Sequence, residues 1–214
     1  MKSLAKAPMR VLAALVVAPV TLLCLATAPW FGDDIFAACS QMLSLLPGKT
    51  GSYLRIGFYR FTLRSCAQDC FIGFGTVMSQ RDTVIGSGVY IGPQCNIGAC
   101  RIGAHCLIAS GVHVMSGTEQ HRFVRLDTPI REQGGALNPV AIGEDCWIGN
   151  GSLVMADIEA QCVIGAGSVV TRPIPERSIA VGNPARAIRE RSPADDAMLR
   201  GDVQNNRRGF EARS

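Results

Sequence analysis

The stretch VIGSGVYIGPQCNIGACRIGAHCLIASGVHV, residues 84–114, decides the fold. An aliphatic side chain recurs in it at steps of six, six, five, six and six residues: Ile85, Ile91, Ile97, Ile102, Ile108 and Val114. The same rhythm returns between residues 142 and 170, with one step shortened to four. Neither the helical period of about 3.6 nor the strand period of about 2 produces this spacing. A six-residue repeat predicts a parallel β-helix, in which each hexad forms a short strand and a turn, and three hexads complete one triangular coil.

The cysteines follow the same repeat. Four of the nine lie four positions after a leading isoleucine, a slot that other hexads fill with Thr, Val or Ser: Cys95, Cys106, Cys146 and Cys162. A buried free cysteine packs as a small apolar side chain, whereas a zinc site would not share its ligand slot with valine and serine. We therefore predict packing rather than a metal site. Disulfides are the other alternative, but the odd number of cysteines suggests no pairing scheme.

Hexads of the form Ile-Gly-x-x-small-x resemble those of the hexapeptide acyltransferases, and the likeness covers roughly residues 66–190. Its most specific parts are Trp147-Ile-Gly, the run IGAGSVVTRPIP at 164–175 and GNPAR at 182–186. Together they resemble the acetyl-CoA-binding half of that family.

This resemblance implies a fold, a donor and an assembly. The fold is mainly β: a left-handed parallel β-helix over residues 66–190, preceded by an apolar helical region in 1–65 and followed by a polar tail, 191–214. The implied acyl donor is acetyl-CoA, with no metal. The implied assembly is a homotrimer whose active sites lie between subunits.

The repeat stops between Val114 and Ile142, and residues 115–141 form the candidate catalytic loop. A long excursion from a compact repeat is usually functional, although a disordered insertion is the alternative. Members of the family carry their catalytic histidine on such a loop, and His121 is the one histidine within it. The loop's TPIREQGG and the segment 41–66 further resemble bacterial O-acetyltransferases that modify surface polysaccharides. The resemblance thus implies acetyl transfer to a sugar hydroxyl.

The chemistry of that transfer needs a base. A sugar hydroxyl attacks a thioester poorly until a positioned group removes its proton. Imidazole suits this task because its unperturbed pKa is about 6.5, so we assign His121 as general base, with Glu119 or Asp127 as candidates to orient it. A solvated loop histidine is the alternative. We expect His113 to be structural and His105 to be solvated at a turn.

The coenzyme site is expected on a flat wall of small residues at the coil turns. Such a wall lets backbone groups approach the long coenzyme, although turn geometry alone also accounts for the glycines. Guanidinium groups bind phosphate through paired hydrogen bonds, and a tryptophan could pack near the pantetheine arm. The predicted coenzyme contacts are Trp147, Asn150, Gly151, Ala166, Gly167, Ser168, Arg172 and Arg186.

The N-terminal region predicts membrane association. Residues 11–31 carry no charge, and about 20 apolar residues suffice to cross a bilayer core. A second apolar stretch, residues 35–46, is too short to span. Three basic residues stand ahead of the apolar run, so a cleaved signal peptide is an alternative, as is an amphipathic or buried helix: Lys2, Lys6 and Arg10.

The topology expected for this region is a hairpin or a one-leaflet arrangement of residues 11–46. Pro19 and Pro29 can interrupt a helix, and acetyl-CoA and free thiols both favour a cytosolic catalytic domain. Basic residues after the second apolar stretch support a location on the cytoplasmic side of the membrane: Lys49, Arg55, Arg60 and Arg64.

The sequence bears on four other classes of function. The net charge of +4 comes with no basic stripe interleaved with aromatic residues, so nucleic-acid binding is not expected. A γ-type carbonic anhydrase uses the same fold around a zinc held by three histidines, and this chain has three: His105, His113 and His121. A non-catalytic β-helix scaffold and a drug-modifying acetyltransferase also share the predicted fold.

Overall fold

The computed structural model describes residues 7–192. Three helices come first: α1 (Ala7–Phe31), α2 (Asp33–Ser44) and α3 (Gly48–Thr62). The basic residues Lys2 and Lys6 lie outside the described residues, and so does most of the predicted tail, 193–214.

Helix α1 buries one stripe and exposes the rest of its surface. Its buried residues recur at steps of four, four, three and four: Ala13, Val17, Thr21, Cys24 and Ala28. They face α2 and α3. The approach to α3 is close, because a Cβ atom added at Gly57 would press against the backbone of Ala14. Pro19 and Pro29 lie inside α1 without ending it. By length and by a mean hydropathy of 2.5, α1 is the one described helix that could cross a membrane.

Sixteen short strands follow. In chain order they are β1 (Ser65–Cys66), β2 (Phe71–Ile72), β3 (Val77–Met78), β4 (Val84–Ile85), β5 (Tyr90–Ile91), β6 (Asn96–Ile97), β7 (Cys100–Ile102), β8 (Leu107–Ile108), β9 (His113–Val114), β10 (Val140–Ile142), β11 (Trp147–Ile148), β12 (Leu153–Val154), β13 (Val163–Ile164), β14 (Val169–Val170), β15 (Ser178–Gly182) and β16 (Ala185–Glu190).

These strands form the three parallel faces of a triangular β-helix. Sheet A contains β1, β4, β7 and β10; sheet B contains β2, β5, β8, β11, β13 and β15; sheet C contains β3, β6, β9, β12 and β14. The chain visits A, B and C in turn, so each of the first four coils contributes one strand to each face. The later coils enter face A only through isolated bridges at Ile158 and Ile174. Strand β16 turns back antiparallel on β15 and closes the C-terminal end.

The core is a stack of aliphatic residues in register. Ile85 pairs with Ile102, which pairs with Ile142, and isolated bridges extend this column to Ile158 and Ile174. Each is at most 4% exposed, and burial of such a side chain contributes about 1.5–3 kcal/mol. The short step before Ile158 therefore does not break the column. Its corner is secured by Asp157, whose carboxylate accepts a hydrogen bond from the Ala141 amide at 2.8 Å.

The cysteine slot confirms the packing interpretation. All nine cysteines are free and buried. The repeat thiols donate to carbonyls of the next coil, as in Cys106 to Gly143 at 3.0 Å and Cys146 to Glu159 at 3.1 Å. The residue before this slot turns the corner with a left-handed backbone, which is why Gly151 (φ 67°) suits the position.

The helices cap the first coil. Ser40 on α2 accepts a hydrogen bond from the Met78 amide at 2.8 Å and lies 2.7 Å from the Tyr59 hydroxyl on α3. Arg55 on α3 is fully buried, although the sequence pattern grouped it with basic residues near the membrane. Its guanidinium instead donates to Leu43, Leu46 and Ile72 carbonyls. One side chain thus joins α2, α3 and sheet B.

Candidate active site

The excursion between β9 and β10 is an arm folded back on itself. The Arg122 amide donates to Gly134 at 2.9 Å, the Ala136 amide to Glu119 at 2.8 Å, and the Asn138 amide to Ser116 at 2.9 Å. Near its tip it contains one turn of 3-10 helix, Ile130–Glu132. Because these bonds join the two limbs, the arm has a defined path along the edge between sheets C and A.

His121 lies exposed on the first limb of this arm. Neither carboxylate proposed to orient it is engaged with the imidazole. The Glu119 carboxylate accepts from the Asn138 side chain at 3.3 Å. The Asp127 carboxylate pairs with Arg125 at 3.0 Å, and that guanidinium lowers the pKa of Asp127. Among residues 7–192, no group hydrogen-bonds to the His121 ring.

A cleft of about 310 Å³ lies at the root of the arm, on the outer face of sheet C. Asn96, His113 and Leu153 stack across it on successive strands, and Gln120 closes it from the arm. His113 therefore faces outward into this cleft rather than into the interior of the coil. The sequence does contain a signal for this outward position of His113. Side chains alternate along a strand, so the residue before buried Val114 must face outward.

The small residues expected at the coenzyme stack on the edge between sheets B and C. The Gly167 amide donates to Asn150 at 2.8 Å, and the Gly151 amide donates to Ser110 in the coil below at 3.0 Å. Asn150, Gly151, Ala166 and Gly167 are exposed there as a flat wall. Ser168 is only 1% exposed, and its hydroxyl accepts from the Gly182 amide at 3.1 Å, so this side chain is engaged within the fold.

The two candidate phosphate ligands lie on other parts of the prism. Arg172 follows β14 and lies on the edge between sheets C and A, two coils beyond the arm. With about 4.8 Å between neighbouring strands, that places it about 10 Å further along the axis. Arg186 lies in β16 opposite Val181 and donates to the Ala185 carbonyl at 3.0 Å. Both side chains are exposed.

Trp147 lies on the outer face of sheet B, 54% exposed. It is in register with Leu107, which is in register with Tyr90, and the three line a shallow cleft of about 320 Å³. Sequence reasoning missed this apolar ladder. The ladder could have been recognised from the sequence in the same way, because the residue before each buried isoleucine of β5, β8 and β11 faces outward and is large and apolar.

The histidines of this chain do not converge on a metal site. His105 lies at a left-handed corner between sheets A and B, His113 on the face of sheet C, and His121 on the arm. Within the described part of the chain, no group of three or more His, Cys, Asp or Glu side chains is placed to hold a metal ion.

Two sets of known repeats match this chain. The family described as bacterial transferase hexapeptide (six repeats) matches residues 82–116, and the hexapeptide repeat of succinyl-transferase matches residues 139–172. The matches end and resume at the arm, as the strands do. The chain is a hexapeptide-repeat protein. The predicted repeat family and its parallel β-helix are thereby confirmed.

The curated relatives of this hexapeptide-repeat protein are matched over part of their length. A probable acetyltransferase of Mycobacterium tuberculosis is 42% identical over 73 residues, which are 33% of this chain and 24% of the relative. The match to this chain covers 28% of the length of a second curated relative and 62% of the length of a third. It therefore covers less than two thirds of the length of each of these proteins.

Solved structures share the fold. A maltose O-acetyltransferase from Clostridium difficile superposes with a TM-score of 0.62 at 24% identity, over 73% of this chain and 85% of that one. A hexapeptide-repeat acetyltransferase from Vibrio cholerae, complexed with acetyl coenzyme A, superposes with a TM-score of 0.51 at 19% identity, over 78% and 91%. At these identities the likeness establishes the fold.

Proposed function

We propose that this hexapeptide-repeat protein transfers an acetyl group from acetyl-CoA to a sugar hydroxyl, in the synthesis of a surface polysaccharide or related glycan. The observation that carries the proposal is the arm: the one long break in the β-helix carries an exposed histidine beside a cleft on sheet C. Curated relatives named as acetyltransferases, and the acetyl-CoA complex of a protein with the same fold, support the choice of donor.

In this proposal His121 is the general base. Its neutral imidazole removes the proton of the sugar hydroxyl as the oxygen attacks the thioester carbonyl. The thioester C–S bond then breaks, the imidazolium proton passes to the departing thiolate, and coenzyme A leaves as the thiol. A backbone amide at a coil corner stabilises the oxyanion formed on the way. Loss of such a base slows transfer by about 10²–10⁴-fold.

The coenzyme is proposed to bind along the wall of Asn150, Gly151, Ala166 and Gly167. Trp147 would pack near the pantetheine arm, and Arg172 and Arg186 would bind phosphates. The wall lies on the B/C edge, whereas the arm leaves the C/A edge. When two prisms pack side by side, the B/C edge of one can meet the C/A edge of its neighbour. This separation supports a homotrimer in which the wall and the arm of one site come from neighbouring subunits.

We further propose that α1 holds the enzyme on the cytoplasmic membrane within one leaflet. The first turns of α1 lie against the first coil, because Arg10 lines a cavity with Asp69. Just after the other end of α1, Asp33 at the start of α2 pairs with Arg81 of the first coil at 2.7 Å. The helix therefore lies across the end of the β-helix. If it crossed the bilayer, the first coil that lies beside both of its ends would have to enter the hydrocarbon core with Asp69 and Arg81, where charged side chains are costly.

The face of α1 that points away from the protein suits this position. It exposes large apolar side chains over its whole length: Val11, Leu12, Leu15, Val16, Leu22, Leu23, Trp30 and Phe31. An apolar patch of this size marks an interaction surface. The catalytic domain would then face the cytoplasm, where acetyl-CoA is made.

The experiment that tests the activity supplies acetyl-CoA and a panel of glycans and nucleotide or lipid-linked sugars to the purified protein. The expected result is release of coenzyme A together with an acetylated sugar whose modification is removed by mild alkali, as an ester is and an amide is not. Coenzyme A release without any alkali-labile acetyl group on an acceptor would contradict O-acetyl transfer.

A further inference from the structure

A third cavity, of about 260 Å³, lies between the first turns of α1 and α3 and the first corner of the β-helix. It is on the A/B edge of the first coil, away from the arm. Its polar lining comes from Arg10 on α1, from Lys49, Ser52 and Tyr53 on α3, and from Gln68 and Asp69 on the corner. Nothing in the proposed acetyl transfer uses these residues.

Positive charge predominates in this cavity. The Nε atom of Arg10 is buried and has no hydrogen-bond partner among residues 7–192. Lys49 makes no ion pair with a described residue. The one carboxylate, Asp69, is engaged by the Ser87 hydroxyl at 2.8 Å. A buried guanidinium N–H without an acceptor is costly, so an anion carrying oxygen atoms would complete the site.

The start of α3 adds to the positive potential. Its first turn contains no acidic residue, and its N-cap, Pro47, provides no side-chain hydrogen bond. The amides of such an uncapped turn remain available to an anion, and the helix dipole favours negative charge there. Lys49, Ser52 and Tyr53 place this turn against the cavity.

The cavity also lies at the membrane end of the molecule. Arg10 precedes the exposed apolar side chains Val11 and Leu12 on the same helix. If α1 rests in one leaflet, the cavity is therefore at the depth of the phosphates of the lipid headgroups. Cationic side chains beside an apolar helix face are the arrangement with which interfacial helices bind anionic lipids.

We propose that the Arg10–Lys49 cavity binds a phosphate group, with the headgroup phosphate of an anionic phospholipid as the source in the membrane. The phosphate accepts from the Arg10 guanidinium, from the Lys49 ammonium and from the first amides of α3. This inference rests on the proposed attachment of α1 to the membrane.

The test compares a double variant, Arg10→Gln with Lys49→Gln, with a control that loses the same charge at the opposite end of the β-helix, Arg177→Gln with Arg191→Gln. Flotation measures binding of the full-length protein to phosphatidylcholine vesicles with and without phosphatidylglycerol. Short-chain soluble phosphatidylglycerol and inorganic phosphate are titrated separately against each protein. Equal melting temperatures show that the variants are folded.

We expect the cavity variant to lose about tenfold or more in affinity for phosphatidylglycerol vesicles, with binding to phosphatidylcholine vesicles unchanged and the control like the wild type. Saturable wild-type binding of inorganic phosphate as tight as that of the soluble lipid would support the phosphate site but overturn the lipid as its source. Equal binding of anionic vesicles and soluble lipid by the cavity variant and the control would overturn the site itself. Failure of every protein to bind vesicles would contradict the membrane attachment of α1, and the soluble probes would still decide on the cavity.

Discussion

Arg55 is the side chain on which the junction between the helices and the β-helix most depends. Its guanidinium is fully buried. No carboxylate among residues 7–192 pairs with it, and backbone carbonyls take the place of an anion. Nη1 donates to Leu46 at 2.7 Å and to Leu43 at 3.1 Å, and Nη2 donates to Ile72 at 3.0 Å. Because Leu43 belongs to the last turn of α2, the cation also lies at the negative end of that helix.

Replacement of Arg55 by methionine should destabilise the protein by about 2–4 kcal/mol. The substitution keeps an apolar stem of similar length but leaves the buried Ile72 carbonyl unsatisfied, at about 1–3 kcal/mol, and removes the donor of the part-buried Leu46 carbonyl, at about 1 kcal/mol. For a chain of this size, about 2–4 °C of melting temperature accompanies each kcal/mol. The melting temperature of Arg55→Met should therefore fall by on the order of 10 °C.

The measurement is thermal and urea unfolding of the wild type, Arg55→Met and a matched control, Arg64→Met. Arg64 is an exposed arginine shortly after α3, paired with Asp82 at 3.0 Å, and such surface pairs contribute only about 0–1 kcal/mol. Arg55→Lys should be intermediate, because lysine keeps the charge but lacks the planar fork. An Arg55→Met protein as stable as the Arg64→Met control would refute the role of the buried guanidinium.

Three further predictions concern stability and the coenzyme. Burial raises the pKa of Tyr59 to about 12, above the ordinary value of about 10; the neutral phenol is therefore favoured in the fold, and up to about 3 kcal/mol of stability should be lost as the pH rises from 10 through 12. Urea midpoints over this pH range should fall less steeply for Tyr59→Phe. Gly149→Ala should lower the melting temperature by several degrees, because the added Cβ would lie 2.5 Å from the Ala166 amide of the next coil; an unchanged melting curve would disprove this close approach. Arg186→Ala should weaken acetyl-CoA binding more than dephospho-CoA binding in calorimetry, and equal losses would count against contact with the 3′-phosphate.

The repeat made the β-helix predictable from sequence, because the residues of each hexad indicate which of its positions are buried and which are at a tight corner. An isoleucine every six residues specifies a buried position, and the small residue four places later specifies a tight one. The arm was predictable for the same reason, since it is the segment in which the hexad repeat is interrupted. The corner at Asp157 was not, because a shortened step says nothing of the side chain that secures it.

The errors lie where long-range contacts override local pattern. Arg55 looked like one of several basic residues near a membrane, but contacts with α2 and with Ile72 bury it. The cleft that His113 lines was not foreseen, because it forms only where the strand of His113 lies on sheet C beside the arm. The division of the candidate coenzyme residues among two edges and a face follows from which corner each occupies. The corner that a residue occupies depends in turn on the number of residues in every preceding turn of the β-helix.

The most direct test of the proposed function measures acetyl transfer to an acceptor sugar by the wild type, His121→Ala and His113→Ala, with the oligomeric state of each protein recorded. His121→Ala should reduce the turnover rate by about 10²–10⁴-fold without change in assembly or in acetyl-CoA binding. His113→Ala should retain most of the turnover, because His113 lines the cleft without removing the proton. Near-normal turnover by His121→Ala would contradict the account, most of all if His113→Ala were the inactive protein.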